Sequence, residues 1–195
     1  TGSSNDALYM ISAIGLRGWH FSGIDIDANN LAGFCMLVDT DNNNNSQENI
    51  IERGTCRNWR IDGFRINASG VGRENAMGQL KDFFFYSSAS VASNYAIHVG
   101  QTGSNIAIWA IKNLRFGSQG TAPKNWIRHV VGGNFIYENI ASGGCTTNVD
   151  ITDGFAFYIT NATGGYFNNI WSEDIGTFYL NQSSGTIDRP LIFED

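Results

Sequence analysis

Side chains that could do chemistry recur in this sequence at fixed places beside an apolar motif. The stretches "WHFSGIDID", "WRIDGFRIN", "IKNLRF", "YENI" and "GGYFNNIW" share one template: apolar, any, Asn or Gly, apolar, any. The variable position before the Asn or Gly holds Ser22, Asp62, Lys112, Glu138 and Asn168, and the later one holds Asp25, Arg65, Arg115, Ala141 and Trp171. If the five stretches are strands stacked side by side, each position becomes a column on one face. With the stretches at 61, 111 and 137 as adjacent coils, Asp62 and Glu138 fall two coils apart, roughly 9.6 Å by the strand spacing. That is near the upper separation at which an inverting glycosidase places its acid and its base. The order acid, lysine, acid reads in preference as a solvated salt ladder, with Lys112 between the acids and Arg60 near Asp62. Asp25 and Glu173 are the reserve acids.

Trp171 stands between Ile170 and Ser172 on the outward side, where its ring is a candidate platform for a sugar or a packing surface beneath a loop or subunit. Trp19, Trp59, Trp109 and Phe135, each two positions before a template, are expected to point inward as an aromatic column. Asp39, Asp41 and Asn43 alternate as at the start of a calcium loop. The sixth position lacks Gly and the twelfth is Ile50, so no cofactor is expected. His98 and His129 each precede a Val on similar strands, as a proton-transfer pair or as packed strand histidines, while His20 has no visible partner. No serine-nucleophile motif, phosphate loop or histidine metal cluster occurs.

The elements that must position these groups follow from composition. The chain has 195 residues, 42% hydrophobic and only 15% charged, with 23 Gly and 2 Pro, which favours many short strands and tight turns. Its length suits one domain, residues 1–195, expected to be a fragment of a longer protein. A net charge of -6 argues against nucleic acid or an anionic membrane as partner, and no stretch is long and apolar enough to insert as a helix. Three cysteines, Cys35, Cys56 and Cys145, read as buried thiols, with one bonded pair as the alternative. The sequons at Asn67, Asn161 and Asn181 matter only in a eukaryotic secretory route.

The templates start at 21, 61, 111, 137 and 167, and repeats of this length mean a solenoid, a propeller or an array. Sparse leucine and the lack of linking helices set leucine-rich repeats aside. A second set of strand-like runs, "GFCMLVDT", "YAIHVGQ", "WIRHVVGG", "GFAFYIT" and "TFYLNQ", follows at similar offsets. Alternation breaks at each template Asn or Gly, because the residue after it is again apolar. A bend there returns both sets of side chains to the core, and Asn and Gly adopt the required positive φ at least cost. Stacked coils would bring Asn113, Asn139 and Asn169 into a hydrogen-bonded column. The longer spacings are expected to hold a polar loop at 39–49 and an insertion or extra coil at 67–94.

The recurring "F-x-N-I" bend resembles the asparagine ladder of right-handed parallel β-helices of the pectate-lyase superfamily, and "FSGIDIDANN" is similar to an early coil of that group, which includes bacteriophage tailspikes. The resemblance implies an all-β right-handed parallel β-helix of about five to seven coils. It also implies trimer assembly, an extracellular or virion-surface location, and a bacterial surface polysaccharide as partner. The expected role is receptor binding or structure; cleavage of a glycan as a depolymerase, by hydrolysis or elimination, is the alternative. Lyases of the superfamily use a basic residue to remove a proton beside a uronate, a part that Arg65 or Arg115 would take. The fold alone does not choose among these.

Overall fold

The structure is a computed structural model that describes residues 5–86, 95–101, 103–117, 125–143, 155–171, 177–181 and 191–194. The strands are β1 (Asn5–Ile14), β2 (His20–Asp27), β3 (Ala32–Asp39), β4 (Ser46–Gln47), β5 (Ile50–Arg57), β6 (Asp62–Ile66), β7 (Glu74–Ala76) and β8 (Gln79–Tyr86). They continue with β9 (Tyr95–Val99), β10 (Asn105–Ala107), β11 (Ala110–Gly117), β12 (Asn125–Gly143), β13 (Phe155–Trp171), β14 (Thr177–Asn181) and β15 (Leu191–Glu194). Every pairing among them is parallel, and no helix occurs among the described residues.

Each coil visits three faces in turn. β1, β3, β6, β9, the starts of β12 and β13, and β14 stack as the first face. The short β4, β7 and β10, with the middles of β12 and β13, form the second. β2, β5, β8, β11, the ends of β12 and β13, and β15 form the third. The chain is therefore an all-β parallel solenoid, a β-helix.

The third face corrects the repeat read from the sequence. Its register runs Phe21, Ile51, Leu80, Ile111, Tyr137, Phe167, with steps of 30, 29, 31, 26 and 30 residues. "NIIERGTCR" and "GQLKDFFFY" are coils of this face, whereas "WRIDGFRIN" is β6 on the first. Gly63 misled because it matches the template for another reason. It faces the interior, where a Cβ would lie 3.2 Å from the Cys56 sulfur, and it is not among the residues with positive φ.

The bend of the third face falls at Gly23, Arg53, Asp82, Asn113, Asn139 and Asn169, all with φ between 50° and 71°. Asn169 donates to Asn139 at 2.8 Å, Asn139 to Asn113 at 2.9 Å, and Asn113 to Asp82 at 2.8 Å, all through their side-chain amides. The amides thus bond along the stack on the outer surface, and the bend residue keeps its left-handed φ whether it is Asn, Asp, Arg or Gly.

Inside, apolar rings fill the bore. Phe85 stacks on Phe116 and Phe116 on Trp126, while Tyr137 stacks on Phe167 at 4.9 Å. Gly54 is required because a Cβ there would run into the Ile24 carbonyl oxygen and stand 2.7 Å from the Phe83 ring. Trp109 and Phe135 are neighbours in register and fully buried, but Asn49 and Gly78 separate them from Trp19, so the aromatic column is interrupted. Trp59 lies between β5 and β6 and meets Phe85 edge-on, outside that column. Cys35 on β3 and Cys56 on β5 form a disulfide with Cα atoms 6.1 Å apart, both sulfurs in the core. A sequence separation of 21 gives no hint that the two strands face each other, which is why thiols were expected. Cys145 lies outside the described residues.

Candidate functional site

On the outward side of the third face, three lanes run along the solenoid axis. The lane before the bend is Ser22, Glu52, Lys81, Lys112, Glu138, Asn168. Its charges pair along the stack, Lys81 with Glu52 at 2.9 Å and Lys112 with Glu138 at 2.6 Å. Glu52 also meets His20 at 3.1 Å and Arg53 at 3.3 Å, and Lys81, its leading partner, holds its carboxyl below the usual range. This is a salt ladder, but its acids are Glu52 and Glu138.

Asp62 is absent from that lane. It sits on β6, on the first face, so the structure does not bring Asp62 and Glu138 together as a carboxylate pair. On the first face two successive residues turn inward at Cys35–Met36, Gly63–Phe64, Ala96–Ile97 and Trp126–Ile127, leaving outward residues three apart. Asp62 and Arg65 are such a pair, and the neighbouring strand supplies His98 beside Arg65. Asp62 Oδ2 lies 2.9 Å from an Arg65 guanidinium nitrogen and 3.0 Å from His98 Nδ1, and its Oδ1 accepts the Tyr95 backbone N–H at 3.4 Å. Arg65 rests over the Phe34 ring, 4.8 Å from its centroid.

His98 Nδ1 is thus within hydrogen-bond distance of both the Asp62 carboxylate, at 3.0 Å, and the Arg65 guanidinium, at 3.3 Å. His98 Nε2 is enclosed and has no hydrogen-bond partner among the described residues. Asp62 and His98 both stand out in the sequence, but nothing local shows that they meet. The signal was the i, i+3 spacing of Asp62 and Arg65 with a strand about 33 residues on.

His129, the other strand histidine, points into the bore, so the two do not form a proton-transfer pair. The Tyr137 hydroxyl and His129 Nδ1 are hydrogen-bonded at 2.9 Å, and both are fully buried. Desolvation pushes the imidazole down to about 3 and the phenol well above its ordinary value.

The lane after the bend is Asp25, Thr55, Phe84, Arg115, Ala141, Trp171. Asp25, Arg115 and Trp171 share it as expected; Arg65 does not, because β6 belongs to the first face. Trp171 is 51% exposed and Phe84 38%, against a core of aromatics exposed by a few per cent at most. Phe84 went unnoticed in the sequence because Asp82 replaced Asn at its bend. A third lane, Asp27, Arg57, Tyr86, flanks it, with Arg57 ion-paired to Asp27 at 2.9 Å and donating a hydrogen bond to the Tyr86 hydroxyl at 2.9 Å. Arg57 also lies 3.8 Å from Asp25. Glu173 lies outside the described residues.

At the turn between the first two faces, Asp39 is buried and accepts from the Thr40 and Ser69 backbone N–H groups and the Asn67 amide. Asp41 Oδ1 takes the N–H groups of Asn43 and Asn44, and its carboxyl is held low chiefly by the Asn44 amide. Both carboxylates expected to begin a calcium loop thus cap the turn, and no group of three His, Cys, Asp or Glu side chains placed to hold a metal occurs among the described residues.

No family model, curated protein or solved structure matches the chain.

Proposed function

We propose that this β-helix is a polysaccharide-binding module, displayed outside the cell or on a virion surface, with a receptor-binding or structural role like that of a phage tailspike. The observation that carries the reading is the lane Phe84, Arg115, Ala141, Trp171: two half-exposed rings flanking a cation on a stiff parallel sheet. Aromatic faces on a polar surface suit the apolar faces of sugar rings, and a fixed backbone lowers the ordering cost of binding. The Cys35–Cys56 disulfide suits an oxidising location. Side-by-side trimer assembly is part of the same proposal and rests on the tailspike resemblance.

A second reading, cleavage of the glycan, draws on the Asp62–His98 pair on the first face; the His98 Nε2 is enclosed, so this reading requires the covering side chains to move before a glycan reaches it. One experiment separates the two. The purified chain is incubated with bacterial capsular and lipopolysaccharide glycans, followed by size analysis and absorbance near 235 nm for unsaturated uronates. Retention of a glycan without shortening, lost in Trp171→Ala, is the expected result. Shortening abolished by His98→Asn would replace the binding reading by catalysis, and no retention of any glycan would end both.

A further inference from the structure

We infer that the lane selects a sparsely acidic glycan, one whose carboxylates are separated by uncharged sugars, with Arg115 taking the carboxylate. The inference rests on reading the lane as a polysaccharide site. Around it, the cations have acids: Arg57 has Asp25 and Asp27, Lys81 has Glu52, Lys112 has Glu138, and Arg53 has Glu52. Arg115 is exposed and makes no ion pair or hydrogen bond among the described residues. It stands one strand from Phe84 and two strands from Trp171, with only the methyl of Ala141 between.

At about 4.8 Å per strand, the rings are about 14 Å apart with the guanidinium between them. A chain lying along the axis can rest sugar faces on both rings and present one acid to Arg115. A planar guanidinium suits a carboxylate through two parallel N–H donors. The surroundings disfavour further negative charge. Asp25, 61% exposed in its side chain, ends the lane, Glu138 borders it, and the whole chain carries -6. A polymer with a carboxylate on every sugar would set unpaired acids against these groups, and like charges without a cation oppose binding.

The test uses the purified chain and its Arg115→Gln and Trp171→Ala variants, with folding checked by circular dichroism. The probes are the glycans retained in the capsular panel, together with gellan, hyaluronan, polygalacturonate and dextran, each acidic polymer also in carboxyl-reduced form. Binding is read by calorimetry. The expected result is that a polymer with spaced carboxylates binds at least about tenfold more tightly than its reduced form. Arg115→Gln should lose that preference, the acidic and reduced forms binding it within about twofold of each other. Equal binding of acidic and reduced forms, or an unchanged preference in Arg115→Gln, overturns the inference and leaves polysaccharide binding standing. Tightest binding of polygalacturonate overturns the spacing. Binding of none of these glycans removes the site itself, a result distinct from the others.

Discussion

His129 shows how a single residue sets the pH range of this fold. Buried against Tyr137, it stays neutral in the folded chain down to about pH 3, whereas an unfolded histidine takes a proton near 6.5. Between those values the unfolded state binds more protons, so stability falls as pH drops, by up to about 1.4 kcal/mol per unit from this group. Asp41, Glu48 and Glu52, whose carboxyls are lowered by their partners, act in the same direction but only from about pH 4.5 downward. Urea unfolding at pH 7, 6 and 5 should therefore show lost stability before the carboxylates titrate. His129→Leu should flatten that interval; an unchanged slope would assign it to another group.

Asp62 belongs to the same scale. Removing it leaves Arg65 and His98 facing each other at 3.3 Å without their shared carboxylate. Asp62→Ala should cost about 3 kcal/mol in denaturant unfolding, the order seen when one partner of a buried ion pair is lost. Glu138→Ala, in a half-exposed pair with Lys112, should cost less than about 1 kcal/mol. Similar losses for both would mean that the Asp62 cluster is no more buried in effect than the ladder.

At the scale of the strand, the bend of the third face carries two separable contributions. Asn139 holds φ 53° and bonds both Asn113 and Asn169. Asn139→Gly removes the amide but keeps easy access to positive φ; Asn139→Ala removes the amide and adds backbone strain. The alanine variant should be the less stable by about 1 kcal/mol in thermal or denaturant unfolding. Equal stability would show that the stacked amides, rather than the φ angle, dominate. The same bend explains how the repeat was hidden. Asn marks the bend in three of its strands, but Arg53 and Asp82 occupy it in two intervening coils at φ 54° and 55°. Stacking against neighbours holds those backbones where local preference would not.

Across the whole molecule, the disulfide ties the first face to the third within one coil, from β3 to β5. Closing a loop of this length should contribute on the order of 3 kcal/mol. Peptide mapping without reductant should recover the Cys35–Cys56 pair, and Cys35→Ala with Cys56→Ala should lower the unfolding midpoint; recovery of both as free thiols would contradict the pairing. Leu8, Met10 and Ile14 on β1, and Leu16 just after it, are each more than a third exposed, and β1 has a paired neighbour on one side only.

Period-two alternation, broken where a residue must bend, was enough to specify parallel coils, since few backbones return both sets of apolar side chains to one core. The outward order of Asp25, Arg115 and Trp171 was legible for the same reason: fixed offset from a bend fixes the lane. What the chain could not reveal alone was which coil neighbours which. Gly63 imitates a bend, Arg53 and Asp82 conceal theirs, and the three-residue outward spacing on the first face departs from simple alternation. Tertiary stacking decided those positions. It moved Asp62 away from Glu138 and beside His98, and set Phe84 next to Arg115, because register between strands is a property of packed faces rather than of local sequence.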